Sequence, residues 1–123
     1  DAFKNYSRKL DMENGVCTVE YIDGTNKCKR EVFASQTDKA IIVKISSSEP
    51  TSLRLALEKH DLVDLPDSGG ASEQKTTPLE NGIYAEFTTQ GGLNYSALLK
   101  ILKTDGTVSE GKSKRRNIKQ ISY

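Results

Sequence analysis

Side chains able to do chemistry are few and scattered in this chain of 123 residues. His60 is the only histidine, and the two cysteines, Cys17 and Cys28, lie far from it in the sequence. Metal sites need clustered histidine, cysteine and carboxylate ligands at short spacings, and no such cluster is visible. A Ser–His–acid triad would have to use His60, and no serine and acid stand in an arrangement that points to one. We therefore predict no catalytic residue, no metal site and no cofactor.

Other motifs with chemical potential have ordinary structural explanations. The glycine pairs Gly69-Gly70 and Gly91-Gly92 are not followed by the Lys-Ser/Thr start of a helix that a phosphate-binding loop requires. Carboxylates are plentiful, but nothing pairs two of them as the acid and base of glycoside hydrolysis. The basic run from Lys112 to Arg116 could contact phosphate or sulfated glycan, although such runs are more often solvated tails.

The composition limits the remaining classes of function. Net charge is +1, which argues against bulk electrostatic capture of nucleic acid or of an anionic membrane. No apolar run is long enough for a membrane span, so none is expected. The length favours a single domain over 1–123, and a hydrophobic fraction of 35% with no tryptophan indicates a thin core. A two-layer antiparallel β-sandwich fits a thin core, so the predicted fold class is all-β.

Residues 16–45 organise the predicted sheet as a three-stranded antiparallel meander. Asp23-Gly24 is a strong hairpin signal, because glycine tolerates the positive φ that tight turns need. In the third predicted strand of this meander, Ile41, Val43 and Ile45 occupy every second position. They therefore share one face of the strand, and we predict that this face points inward.

The pairing of residues across the Asp23-Gly24 hairpin shows whether the two cysteines lie opposite each other. It places Cys17 opposite Val32 and Cys28 opposite Tyr21, so we do not expect the two thiols to form a disulfide. Without a disulfide, Cys17 and Cys28 are two small apolar side chains in the core. Arg30 falls on the same inward face, which requires a sheet margin or a carboxylate partner.

The rest of the chain continues the β pattern. We predict strands at 52–59, 82–89 and 93–102, a long flexible loop at about 61–81, and a last strand in the tail. Predicted core positions include Phe33, Phe87, Tyr21 and Tyr95, and the 93–102 strand is expected to be covered on both sides because Leu98 faces away from Leu99.

Two segments carry a resemblance to a known family. Tyr6–Tyr21 and Cys28–Ile45, the latter with the run Arg-Glu-Val-Phe-Ala-Ser, resemble the amino-terminal β domain of glycoside hydrolase family 95, the inverting α-L-fucosidases and α-L-galactosidases. Gly92–Leu102 and Gly106–Ser109 fall where that domain has a similar strand and turn. The resemblance covers roughly residues 6–60 and 82–109.

The resemblance implies part of a large accessory β-sandwich that precedes an (α/α)₆ catalytic barrel, in a periplasmic or secreted protein. Because the family's catalytic carboxylates lie on the barrel, none is carried onto this chain, whose expected partner is that barrel. We also expect possible contact with a glycan and a possible homodimer formed through exposed strand edges. A free-standing carbohydrate-binding or interaction module remains the alternative function.

Overall fold

A computed structural model describes residues 3–58, 71–89, 91–113 and 116–122. For residues 71–73, 112–113 and 116–122 it describes the backbone alone. All regular structure in this part of the chain is β, and no helix suited to crossing a lipid bilayer occurs in it. The strands are β1 Lys4–Asp11, β2 Val16–Asp23, β3 Asn26–Ser35, β4 Ala40–Ser47, β5 Leu53–Leu55, β6 Ala71–Leu79, β7 Gly82–Thr89, β8 Asn94–Lys100, β9 Thr107–Ser113 and β10 Arg116–Ser122.

The chain divides into two compact units, Asp1–Thr51 and Ser52–Tyr123. The first unit is a four-stranded antiparallel meander in the order β1-β2-β3-β4. The predicted turn at Asp23-Gly24 is confirmed, because Gly24 has a φ of 64° and Asp23 pairs with Asn26 across the hairpin. The strand before it, β1, joins the sheet through a turn that follows Asp11. The predicted single domain over 1–123 stays a prediction.

The predicted register of the meander is confirmed, but the prediction that the apolar side chains of β4 are buried is wrong. Ile41, Val43 and Ile45 share a face as predicted, yet they are 74%, 53% and 40% exposed. Only Val19, in a central strand, is buried on that face. The reason is position: β4 is an edge strand, so its side chains have neighbours on one flank only. Phe33, expected in the core, is 38% exposed and lies on the opposite face beside Ile42.

The second unit is a two-layer sandwich. One antiparallel sheet has the order β5-β10-β9 and the other β6-β7-β8, and β10 packs against β6 and β7. The predicted inward face of β7 is confirmed, since Ile83, Ala85 and Phe87 are all buried. The architecture is therefore the all-β antiparallel sandwich that the sequence predicts.

Three predictions in this unit need correction. The loop at 61–81 is wrong for 71–79, because strand β6 forms there, while 59–70 lie outside the described residues. This segment is polar and carries Pro78, which an edge strand such as β6 tolerates because one side of it makes no ladder hydrogen bonds. Double coverage of β8 is wrong, because Leu98 is 62% exposed. The strand predicted at 52–59 is shorter than expected, because β5 spans only Leu53–Leu55. The last strand predicted in the tail is confirmed as β10.

Candidate functional site

The outer face of the β6-β7-β8 sheet carries a group of polar side chains around one tyrosine. Because side chains alternate along each strand, this outer face is opposite the face that carries Phe87. In the pairing register Glu86 lies between Lys75 and Ser96, Tyr84 lies beside Leu98, and Thr88 lies beside Asn94. We call this set the polar–aromatic face: Lys75, Tyr84, Glu86, Thr88, Asn94, Ser96 and Leu98.

A shallow pocket of about 480 Å³ lies over this face. Its lining includes every polar member of the face, together with Gln74, Phe87 and Tyr95 of the neighbouring positions. Two hydrogen bonds order the polar groups. The Tyr84 hydroxyl donates to Glu86 Oε1 at 3.4 Å, and the Thr88 hydroxyl donates to Asn94 Oδ1 at 2.9 Å. The pocket therefore presents an aromatic ring, a carboxylate, an amide and an ammonium group side by side.

The packed side of the same sheet holds the pocket in place. Phe87 is 4% exposed, and its ring stacks on Tyr95 with centroids 4.8 Å apart. The β7–β8 turn closes through Thr89, whose hydroxyl accepts a hydrogen bond from the Leu93 amide at 3.0 Å. Gly82 starts β7 where a Cβ would collide with the Leu99 carbonyl, so the two strands are in close backbone contact. These contacts fix the spacing of the strands that carry the polar–aromatic face.

A second candidate surface lies on the four-stranded sheet. Alternate positions on the four strands define its apolar face: Leu10, Cys17, Val19, Tyr21, Cys28, Val32, Ile41, Val43 and Ile45. Arg8 and Arg30 lie on the same face, on either side of Val19. Leu10 and Ile41, on the two edge strands, are 65% and 74% exposed. At one end the ring of Phe3 meets Tyr21 edge to face at 4.9 Å. Partial burial, and then the neighbouring Cys28, raise the pKa of Tyr21. Exposed apolar patches bordered by polar residues commonly mark an interaction surface.

The opposite face of that sheet is charged. Lys29 Nζ lies 3.0 Å from Glu31 Oε1, and Lys44 Nζ lies 3.8 Å from Glu31 Oε2. The hydrogen bond from Lys29 holds the pKa of Glu31 below its ordinary value, and Glu31 raises the pKa of Lys29 in return. The ion pairs of Glu31 give this face its charge, and Phe33 and Ile42 lie beside them on the same face.

The residues singled out from the sequence do not converge. Cys17 and Cys28 are both half-buried free thiols on the apolar face, and they pair with Val32 and Tyr21 as predicted. His60 lies outside the described residues, and of the basic run only the backbone of Lys112, Ser113 and Arg116 is described. Among the residues that the structure describes, no three potential metal ligands come together.

Arg30, which the sequence placed on the inward face, is exposed there, so its charge needs no buried partner. The polar–aromatic face was missed because its members come from three strands, one of them read as a loop. The available signal was the outward pair Tyr84 and Glu86 on a strand that the sequence does predict.

The fold defines a small antiparallel β-sandwich module, and comparison with known proteins gives its family. The family model for the N-terminal domain of glycosyl hydrolase family 65 matches residues 1–123. The chain therefore belongs to this family of glycoside hydrolase N-terminal domains. This result confirms the kind of domain to which the resemblance pointed, and the assignment to family 95 stays a prediction.

The chain is also similar to Alpha-L-fucosidase 2 of Arabidopsis thaliana. The two are 27% identical over 135 residues, which covers 97% of this chain and 16% of that protein. The chain thus spans about one sixth of the length of this relative. The match supports a glycoside hydrolase N-terminal domain of an α-L-fucosidase-like protein.

Proposed function

We propose that this chain is a non-catalytic accessory domain of a glycoside hydrolase resembling the family 95 α-L-fucosidases. Its role is to pack on the catalytic barrel and support it. The observation that carries this proposal is the apolar face of the four-stranded sheet, where Ile41, Val43 and Ile45 remain exposed.

The energetics favour an occupant for this face. Complete burial of one Ile, Leu or Val side chain contributes roughly 1.5–3 kcal/mol relative to exposure, so covering Leu10, Ile41 and Val43 would stabilise an assembly appreciably. The occupant that we propose is the remainder of the same enzyme, because the fucosidase relative extends far beyond the matched region. Free energy from that contact would fix the orientation of the domain on the barrel.

Cysteine labelling tests the apolar face directly. In a background in which Cys17 and Cys28 are replaced by Ser, Ile41→Cys places a thiol on the apolar face. Lys44→Cys, on the same strand, places the control thiol on the charged face, where Lys44 is 71% exposed. In the isolated chain both thiols should react rapidly with a maleimide. In the complete gene product only the Ile41→Cys thiol should be protected, by about tenfold or more in rate, as burial restricts access.

Equal labelling of the two thiols in the complete gene product would overturn the packing role. A second copy is the rival occupant, through this face or through the edge strands β1 and β4. It would protect Ile41→Cys in the isolated chain as concentration rises, with a matching change in sedimentation. The isolated chain should also release no fucose from an aryl α-L-fucoside, and turnover by it would refute the non-catalytic role.

A further inference from the structure

The polar–aromatic face has the composition of a sugar-binding surface, and its parts are already ordered. Lys75, Glu86 and Ser96 form one cross-strand row and are all exposed. A pyranose ring offers hydroxyl groups that both donate and accept hydrogen bonds. Ammonium and amide groups supply donors, a carboxylate supplies acceptors, and a serine hydroxyl supplies both. The row therefore matches the mixed polarity of a sugar edge.

Internal hydrogen bonds leave the outward groups available. Tyr84 engages one oxygen of Glu86, so Oε2 is the oxygen left for a ligand. Thr88 engages Oδ1 of Asn94, which turns the Asn94 Nδ2 group, a donor, away from that bond. Because these side chains are held by neighbours on adjacent strands or two residues apart, less conformational entropy is lost when a ligand binds.

The face also contains apolar surface next to the polar row. Tyr84 is half-buried and pairs across the strands with Leu98, which is 62% exposed. One side of a pyranose ring presents C–H groups, which pack on an aromatic ring or a leucine side chain while the sugar hydroxyls stay at the polar edge. Tyr84 and Leu98 therefore supply the platform, and Glu86 lies one register row from it.

Charge selects among ligands of similar size. A phosphorylated or sulfated ligand would meet the Glu86 carboxylate at the centre of the face, and like charges at that distance repel. Among the described residues that line the pocket, Lys75 is the one cation, and it is paired in register with Glu86. The pocket of about 480 Å³ is large enough for one or two sugar residues.

We propose that the polar–aromatic face binds neutral pyranose residues of a glycan, with Tyr84 and Leu98 as the platform and Glu86, Asn94 and Lys75 as the hydrogen-bonding groups. This inference goes beyond the packing role, because it assigns the domain its own contact with carbohydrate. It uses the second unit, whereas the packing proposal uses the first, so either can fail without the other.

The test is a ¹⁵N NMR titration of the full chain with methyl α-L-fucopyranoside and, separately, with cellobiose. Saturable shifts should be confined to amides of β6, β7 and β8, with a dissociation constant in the millimolar range that is usual for small ligands making few contacts. Glu86→Gln, at an exposed position, keeps the fold and should weaken binding several-fold. Tyr84→Ala should weaken it about tenfold, and Tyr84→Phe should have an intermediate effect.

Matched controls lie on the other unit. Tyr6→Ala removes a tyrosine that is 62% exposed on β1, and Glu13→Gln neutralises an exposed carboxylate in the following turn. Both should bind the sugars as the unaltered chain does. The proposal is overturned if neither sugar produces saturable shifts at tens of millimolar, or if the shifts fall on β1–β4. It is equally overturned if Glu86→Gln and Tyr84→Phe both bind unchanged.

Discussion

Phe87 and Tyr95 stack across the β7–β8 pair with their ring planes 9° apart, although Phe87 is buried and Tyr95 is 49% exposed. The two residues are direct partners in the register. One ring thus belongs to the interior of the sandwich while the other closes its edge. This pairing couples the stability of the second unit to the strands that carry the polar–aromatic face.

Loss of the Phe87 ring should therefore be the most damaging truncation among these residues. Phe87→Ala should lower the free energy of unfolding by about 3–5 kcal/mol, because it removes a large buried side chain and leaves a cavity. Chemical denaturation of the full chain measures the change. The matched control is Phe33→Ala, at a position that is 38% exposed, and it should cost clearly less.

The stacking contact itself can be isolated by a double-mutant cycle. Phe87→Leu and Tyr95→Leu, made singly and together, should show a coupling energy of roughly 0.5–1.5 kcal/mol, the usual value for an aromatic pair. Additive effects of the two substitutions would show that burial of Phe87, rather than ring stacking, is the whole contribution.

Gly82 should not accept a side chain. A Cβ at this position would overlap the backbone carbonyl oxygen of Leu99, and neither strand can move without breaking ladder hydrogen bonds. We expect Gly82→Ala to destabilise the chain by roughly 1–3 kcal/mol, as overpacking does. Gly91→Ala is the control, because the nearest atom to its Cβ would be Thr89 Oγ1 at 3.9 Å. Thermal unfolding of both variants should show a lower midpoint for Gly82→Ala alone.

The turn after β1 holds the Asp11 carboxylate in its charged form through hydrogen bonds. Asp11 accepts hydrogen bonds from Asn14 Nδ2 at 2.8 Å and from the amides of Glu13 and Asn14 at 3.0 Å each. These bonds, the Asn14 side chain first, hold the pKa of Asp11 below its ordinary value. The carboxylate therefore contributes stability above its unfolded pKa of about 3.9, and this is lost as pH falls through the lower folded value.

Carboxyl NMR titration measures the Asp11 pKa directly. Asn14→Ala should raise it toward the ordinary range without fully restoring it, because the backbone amides still donate. Met12→Ala, at an uncharged position that is 87% exposed in the same turn, should leave it unchanged. An unaltered Asp11 pKa in Asn14→Ala would contradict the assigned cause.

Sequence alone predicts the strands and their register well, because both depend on local signals. Alternation identifies β2, β4 and β7, and Asp23-Gly24 fixes the pairing of β2 with β3 by simple counting. Whether a face is covered depends on a second layer, which alternation within one strand does not specify. For that reason Ile41 was placed correctly on its strand and wrongly in the core.

The candidate site was harder to predict than the fold, for a related reason. Tyr84 and Asn94 become neighbours of one pocket only when β6, β7 and β8 pair, and β6 reads as a loop because Gln74–Leu79 is polar and contains Pro78. An edge strand gains its stability from one partner, here β7, so its own composition carries a weak β signal.

The two cysteines should stay reduced and independent. Cys17 and Tyr21, the register partner of Cys28, are four residues apart on β2, which at about 3.3 Å per residue places the two thiols' strand positions roughly 13 Å apart. A disulfide needs Cα atoms within about 7 Å, so an intramolecular bridge would require the β2–β3 pairing to break. Addition of a reductant should leave the unfolding midpoint unchanged, and both thiols should be alkylated in the unfolded chain without prior reduction. A reductant-dependent fall in the midpoint, retained at high dilution, would show a bridge and refute the register of this hairpin.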